Sequence, residues 1–154
     1  MSSKNVSLEK ERTTLGPLEE RISYAFQNKA LLKQALTHLS YANEQGTDAN
    51  STLALLGDSL LNALITWKLY QKKPNATPGE LTEIRKGYVS QERLCRLAKE
   101  LNLEGYLLVG KGELRVSPRM LAETFESLVG ALFVEGGFEA LTPFLNREFA
   151  QDPC

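Results

Sequence analysis

Residues 53–61 (LALLGDSLL) restrict the possible folds of this 154-residue chain more than any other segment. The segment is an apolar run with helical spacing, and it contains a single acid, Asp58. The other side chains on the helical face of Asp58 are mostly apolar: Ala54, Leu55, Leu61 and Asn62. An ionised carboxylate on such a face is costly unless it is paired or binds a metal ion. The residues alone favour a hydrogen-bonded structural acid, with a metal ligand as the alternative.

Similar apolar runs recur along the chain and predict an all-α fold without a clean strand pattern or an internal repeat. Hydrophobic residues make up 42% and charged residues 24% of the sequence, which is typical of one globular domain. We expect a flexible tail over residues 1–16 and a folded domain over residues 17–150. No uninterrupted apolar run approaches the roughly 20 residues that a membrane span needs, so we expect no membrane partner.

The charge balance leaves the class of partner open. A net charge of −1 argues against a protein that holds nucleic acid by its overall charge, but it allows a local basic patch. Cys95 and Cys154 lack metal-binding spacing and predict no disulfide, and the polar N-terminus does not have the apolar core of a signal peptide. We therefore expect a cytoplasmic protein, with an organelle as the alternative.

Capping residues and apolar spacing predict where the helices begin and end. Residues suited to helix starts precede the apolar runs at several places: Asn28, Asn50, Thr77, Ser90 and Pro118. The longest helix is expected to run from Asn50 to about Tyr70, and an early helix is expected to bury Phe26. Residues 44–50 are predicted to form a surface loop.

The second half of the chain is predicted to contain an irregular segment followed by two helices. Residues 103–118 have no regular pattern, and their glycine-rich tip around Lys111 is expected to be mobile. The helix that begins at Pro118 is expected to stop at Gly136 and Gly137. A last helix then uses Phe138 and other apolar residues for burial.

Glu123 and Glu126 stand at i and i+3 on the predicted helix after Pro118, so their side chains point the same way. Small residues lie at helical spacing from Glu126 and would let another helix approach closely: Ala122 and Gly130. If that helix carries Asp58, three carboxylates converge. Oxygen donors without His or Cys suit Mg²⁺ or Mn²⁺, which can activate a water for attack on a phosphate. Spacing alone also fits a solvated pair of surface glutamates.

Four sequence blocks resemble the ribonuclease III family in order and spacing, over about residues 18–149. They are residues 34–44 (QALTHLSYANE), the segment 53–61, residues 110–113 (GKGE) and residues 123–131 (ETFESLVGA). The resemblance implies a symmetric dimer whose two acidic sites hydrolyse double-stranded RNA with a divalent metal ion. We expect no double-stranded-RNA-binding domain in this chain, as in the compact Mini-III branch of the family.

The resemblance also assigns roles to the acids. Asp58 and Glu126 match metal-binding acids of the family, and we predict that both are catalytic. Glu123 stands where the family usually has Asp, and we predict that it is an adapted third metal ligand. Ala54 replaces a usual metal-binding Glu, and Ser51 replaces a common acid. The Mini-III branch also has alanine at the position of Ala54 and is nevertheless a nuclease.

Basic side chains are candidates for contacts with RNA phosphates. Lys111 is the strongest, because the backbone of a glycine-rich tip can approach a phosphate closely. Other candidates lie on the predicted helices, where a solvated face is the alternative role: Arg85, Lys86, Arg93, Arg96 and Lys99. His38, the single histidine, is expected to be packed and hydrogen-bonded.

The sequence therefore predicts a homodimeric endoribonuclease that cleaves double-stranded or structured RNA with Mg²⁺ or Mn²⁺. One alternative is a catalytically inactive subunit of the same fold that binds RNA or a ribosome. A second alternative is a dimerisation module whose partner supplies the missing acid. Ala54 separates these functions, because an enzyme must replace the lost ligand with water or with another acid.

Overall fold

The computed structural model describes residues 14–151. Most of the tail predicted for residues 1–16 lies outside this range, as does Cys154. Within the range there are seven α-helices, one 3₁₀ turn at Leu103–Gly105 and one isolated parallel bridge between Thr37 and Leu108. The all-α prediction is confirmed. The helices are α1 (Gly16–Ile22), α2 (Lys29–Ala35), α3 (Leu39–Gln45), α4 (Ser51–Lys72), α5 (Pro78–Tyr88), α6 (Gln91–Glu100) and α7 (Pro118–Glu148).

Helices α4 and α7 form the centre of the fold and share its most extensive contact, with α6 and α2 packed against α7. Leu61 of α4 and Phe125 of α7 are completely buried. The ring of Phe125 contacts those of Phe144 and Phe149, at centroid distances of 5.8 and 6.2 Å. Burial of apolar and aromatic surface of this kind is the main stabilising contribution to such a fold.

Helix α7 is long and apolar enough to cross a membrane by length and composition alone. Many of its side chains are instead buried against the rest of the domain, from Met120 to Leu145, as in the core helix of a soluble protein. Its path breaks at Gly137, whose backbone has φ 61° and ψ −155°. Glycine tolerates this conformation because it has no Cβ. The predicted stop at Gly136 and Gly137 is therefore confirmed as a break between two helical segments.

Three of the predicted helix caps are confirmed. The side chains of Asn28, Thr77 and Ser90 accept backbone N–H groups of α2, α5 and α6, and Thr77 forms a capping box with Glu80. Asn50 does not cap α4 with its side chain. Its Nδ2 instead donates to the carbonyl of Ala35 at 3.3 Å, because the side chain is buried between helices.

Other local predictions were wrong. Helix α1 ends at Ile22, and Phe26 is buried in the segment that follows the helix. Residues 39–45 form α3, so the first part of the predicted loop 44–50 is helical. Phe138 is 55% exposed instead of buried. The boundary of α3 is set by Gly46, which ends the helix in the left-handed conformation.

Candidate active site at the crossing of α4 and α7

Glycines allow α4 and α7 to cross with their backbones in close contact. A Cβ built on Gly57 would lie 1.7 Å from the carbonyl oxygen of Glu126. A Cβ built on Gly130 would lie 2.2 Å from the carbonyl oxygen of Leu53. No side chain larger than hydrogen fits at either position, so the two glycines determine how near Glu126 lies to the helix that carries Asp58. The predicted close approach at Gly130 is present.

The crossing places the predicted acids within electrostatic reach of one another. Burial, followed by the negative charges of Asp58 and Glu123, raises the pKa of Glu126 to about 7. Glu126 is partly buried, whereas Asp58 is exposed in this chain. The expectation that Asp58 lies on a largely dry helical face was wrong, because Leu55 beside it is 68% exposed. The carboxylate of Asp58 is therefore in contact with water.

Glu123 forms an ion pair within its own helix. Its Oε1 accepts a hydrogen bond from Nε of Arg119 at 3.2 Å, one helical turn earlier on α7. In the part of the chain that the structure describes, no three His, Cys, Asp or Glu side chains are grouped closely enough to hold one ion. Glu123 is therefore near the site, but its carboxylate is paired with a cation of the protein.

The donor set fits a hydrated divalent cation. Mg²⁺ commonly keeps several waters and uses one or two carboxylates together with substrate phosphates. Asp58 and Glu126 can supply two carboxylates, and their mutual repulsion, which contributes to the raised pKa of Glu126, would be relieved by a cation between them. Ala54 is buried and contributes no ligand atom, and Ser51 is exposed at the first position of α4.

Asn62 is a polar contact of the site that the sequence prediction did not include among the site residues. Its Nδ2 donates to the backbone carbonyl of Asp58 at 2.9 Å and to Oδ1 of Asp58 at 3.1 Å. The sequence signal was the i, i+4 spacing of the two residues on one helix, a spacing at which amide and carboxylate side chains meet.

The predicted RNA-contacting cations occupy different environments. Nη1 of Arg85 donates to Oγ1 of Thr66 on α4 at 3.1 Å, and Lys86 is exposed and pairs with Glu83 at 2.8 Å. Arg93 was wrongly grouped with the surface cations. It is 6% exposed, with its guanidinium over the rings of Tyr88 and Phe149 at 5.4 and 5.6 Å.

The segment around Lys111 is anchored rather than loose. The backbone N–H of Gly110 donates to Oγ of Ser40, and that of Lys111 donates to Oε1 of Glu44, each at 2.8 Å. Nδ1 of His38 lies 2.7 Å from the same Ser40 hydroxyl, so the histidine is hydrogen-bonded as expected. These contacts fix the backbone beneath the exposed side chain of Lys111.

Helix α4 exposes several large apolar side chains, of which Leu55 lies one turn before Asp58. They include Leu55 at 68%, Trp67 at 56% and Tyr70 at 60% exposure, and the rings of Trp67 and Tyr70 are stacked with centroids 6.0 Å apart. Phe138 is exposed on the neighbouring second segment of α7. Exposed aromatic and aliphatic side chains of this kind are enriched at protein interfaces.

Comparison with known proteins agrees with the sequence blocks. The Ribonuclease-III-like family model matches residues 28–152. The chain belongs to the ribonuclease III family. It is 42% identical over 138 residues to Ribonuclease 3 of Bdellovibrio bacteriovorus, covering 86% of this chain and 59% of the relative. Ribonuclease 3 of Oceanobacillus iheyensis is 40% identical over 137 residues, which is 84% of this chain and 60% of the relative.

A solved structure of the same family has a similar fold. The nuclease domain of ribonuclease III from Campylobacter jejuni superposes with a TM-score of 0.78 at 28% identity, covering 90% of this chain and all of that domain. This chain therefore spans about 60% of the length of the curated relatives named above and the whole of a solved nuclease domain.

Proposed function

We propose that this chain is the catalytic domain of an endoribonuclease that cleaves double-stranded or structured RNA with Mg²⁺ or Mn²⁺. The observation that supports it most directly is the glycine crossing, which brings Glu126 near Asp58 and leaves the pKa of Glu126 at about 7. A carboxyl group with a strongly raised pKa beside a second acid is typical of a functional site. Family membership makes RNA hydrolysis the reaction to test.

In this proposal Asp58 and Glu126 are the catalytic acids and hold the cation. A divalent cation bound there supplies an activated water and stabilises the charge on a phosphate under attack. Glu126 must lose its proton before its carboxylate can bind, and its raised pKa means that this proton is still partly present near neutral pH. Glu123 can add a third carboxylate beside its ion pair with Arg119, which engages one of its two oxygens.

In this proposal RNA contacts the protein through three cations on two separate segments of the chain. Lys111 projects from a backbone that Ser40 and Glu44 hold in place, so little further ordering is needed on binding. Arg85 approaches the exposed edge of α4 through its bond to Thr66, and Lys86 stands next to it on α5. Phosphate contacts by these three residues would position RNA without reading its sequence.

We further propose that the domain acts as a homodimer in the cytoplasm. The exposed apolar surface of α4, from Leu55 to Tyr70, is the surface on which a second copy would pack. The solved nuclease domain of Campylobacter jejuni ribonuclease III also has a region involved in dimer formation. Burying this surface in a dimer would remove Leu55 from water beside the acids.

Cleavage of long double-stranded RNA by purified protein tests the function. We expect cutting only with Mg²⁺ or Mn²⁺, and loss of cutting in Asp58→Asn and Glu126→Gln, which remove charge but preserve shape. Glu139→Gln, an exposed acid on the same helix as Glu126, is the matched control and should cut normally. Undiminished cutting by both site variants would refute the site assignment.

A catalytically inactive RNA-binding subunit is the second candidate, and Ala54 favours it. The position provides no carboxylate, and Glu123 is paired with Arg119. If the wild-type protein and both site variants bind RNA equally and none of them cuts with either metal, this second function should replace the first.

A further inference from the structure

Asp58 has a protein partner on only one side along its helix. One turn later, Asn62 donates from a single amide nitrogen to both the carbonyl oxygen and Oδ1 of Asp58. One turn earlier stands Ala54, which has no polar side-chain atom. An exposed aspartate without such a contact would exchange among rotamers in water. The contact with Asn62 therefore selects one orientation of the Asp58 carboxylate.

Asn62 is itself held by a series of polar contacts along α4. The hydroxyl of Thr66 donates to the carbonyl oxygen of Asn62 at 2.6 Å. Arg85 of α5 donates in turn to the same Thr66 hydroxyl at 3.1 Å. These contacts engage the main-chain carbonyl of Asn62 and tie α4 to α5, so they help to fix the backbone from which the Asn62 amide reaches Asp58.

We propose that Asn62 is a positioning residue, which orients the Asp58 carboxylate for cation binding. The inference rests on the proposed function, because it requires Asp58 to be a ligand. Hydrogen bonds to a ligating carboxylate fix its direction and reduce the freedom that it loses on binding a metal ion. The contribution is larger in this chain than in one with an acid at position 54, because Ala54 supplies no carboxylate to share the cation with Asp58.

A simpler role for Asn62 is helix stabilisation, because a side chain that bonds a carbonyl one turn back can affect the helix alone. Ser59 has that simpler role. Its hydroxyl donates to the carbonyl of Leu55 at 3.1 Å, and it lies on the same exposed side of α4 next to Asp58. Ser59→Ala is therefore a matched control for a helix-only effect.

The test is calorimetric titration of the metal-free full chain with Mn²⁺, without RNA, so that the readout is binding rather than cleavage. Asn62→Leu and Asn62→Ala remove the amide donor, and we expect about tenfold weaker Mn²⁺ binding in both, the lower end of the range for outer contacts of metal ligands. Asn62→Gln keeps a donor that can reach one turn back and should recover most of the affinity. Ser59→Ala should bind as the wild type does.

Failure of this role can be distinguished from failure of the proposed function. If the wild type binds Mn²⁺ and both donor-less variants bind it equally well, Asn62 does not position Asp58, whereas the metal site stands. If Asn62→Leu and Ser59→Ala lose affinity to the same extent, the effect belongs to the helix and the positioning role is refuted. A wild type that neither binds Mn²⁺ nor cuts RNA would overturn the proposed function and this role together.

Discussion

Substitution of Gly57 by alanine tests the structural basis of the site, because Gly57 is where α4 and α7 approach most closely. The new methyl carbon would lie 1.7 Å from the carbonyl oxygen of Glu126, and 3.1 Å from the backbone nitrogen of Gly130. A C–H···O contact between a carbon and a carbonyl oxygen has a carbon–oxygen distance of at least about 3.3 Å. The helices would therefore have to separate locally by about 1.6 Å. The obstructing atoms belong to the backbone, so no side-chain rotation can relieve the overlap.

The expected loss of stability follows from two opposing effects. Alanine is favoured over glycine inside a helix by about 1 kcal/mol. Overpacking a well-packed core costs about 1 to 3 kcal/mol, and more when the backbone must move. We expect a net loss of at least about 2 kcal/mol, which for a chain of this size lowers the Tm by roughly 4 to 8 °C. The separation also far exceeds the tolerance of about 0.2 Å in metal–ligand distances.

Thermal unfolding and Mn²⁺ titration of Gly57→Ala would measure both effects. Gly79→Ala is the matched control, because Gly79 is also helical and a Cβ there meets only Oγ1 of Thr77, at 3.9 Å. That control should be neutral or stabilised by up to about 1 kcal/mol. A Gly57→Ala protein that is as stable as the control, and that binds Mn²⁺ as the wild type does, would refute the close crossing and its role in the site.

Three further predictions concern charge and assembly. The fold raises the pKa of Glu126 from 4.5 to about 7, so the folded chain binds more protons than the unfolded chain between these two pH values. The free energy of unfolding of the metal-free protein therefore falls as the pH rises from 4.5 to about 7. Glu126→Gln should remove this pH dependence and stabilise the chelated protein above pH 7 by about 2 kcal/mol. Denaturation at a series of pH values measures the effect, and the control Glu139→Gln should behave as the wild type does. Ala54→Glu should lower the Tm of the chelated protein, because it places a third acid at a buried position, and it should tighten the binding of Mn²⁺. If neither the Tm nor the Mn²⁺ affinity changes, position 54 does not face the site. Light scattering at micromolar concentration should give the mass of a dimer. Leu55→Glu should convert the dimer to a monomer, whereas Leu114→Glu, on a separate exposed loop, should not. A monomeric wild type would contradict the homodimer.

The helix boundaries that depend on neighbouring residues could be predicted from the sequence. The caps at Asn28, Thr77 and Ser90 involve atoms only a few residues apart, so the signal and the contact lie in the same segment. The break at Gly137 is local for the same reason. The i, i+3 pair Glu123 and Glu126 also follows from helix geometry alone.

The sequence could not determine which faces of the helices are buried. Asp58 was expected on a dry face and is exposed, whereas Arg93 was expected at the surface and is buried between two rings. Asn50 has the composition of a cap but bonds Ala35 and Ser127, which are distant in sequence. Each outcome depends on which helix packs where.

The helical class, the family and the residues capable of metal chemistry therefore follow from the residues alone. The tertiary structure brings Glu126 near Asp58, and it thereby places the contacts of Arg119 with Glu123 and of Asn62 with Asp58 beside a common site. The Asn62 and Arg119 contacts are local in sequence, but their effect on the site depends on the α4–α7 crossing. Local propensities act over a few residues, whereas the direction and environment of a charged side chain are set by packing between segments that are far apart in the chain.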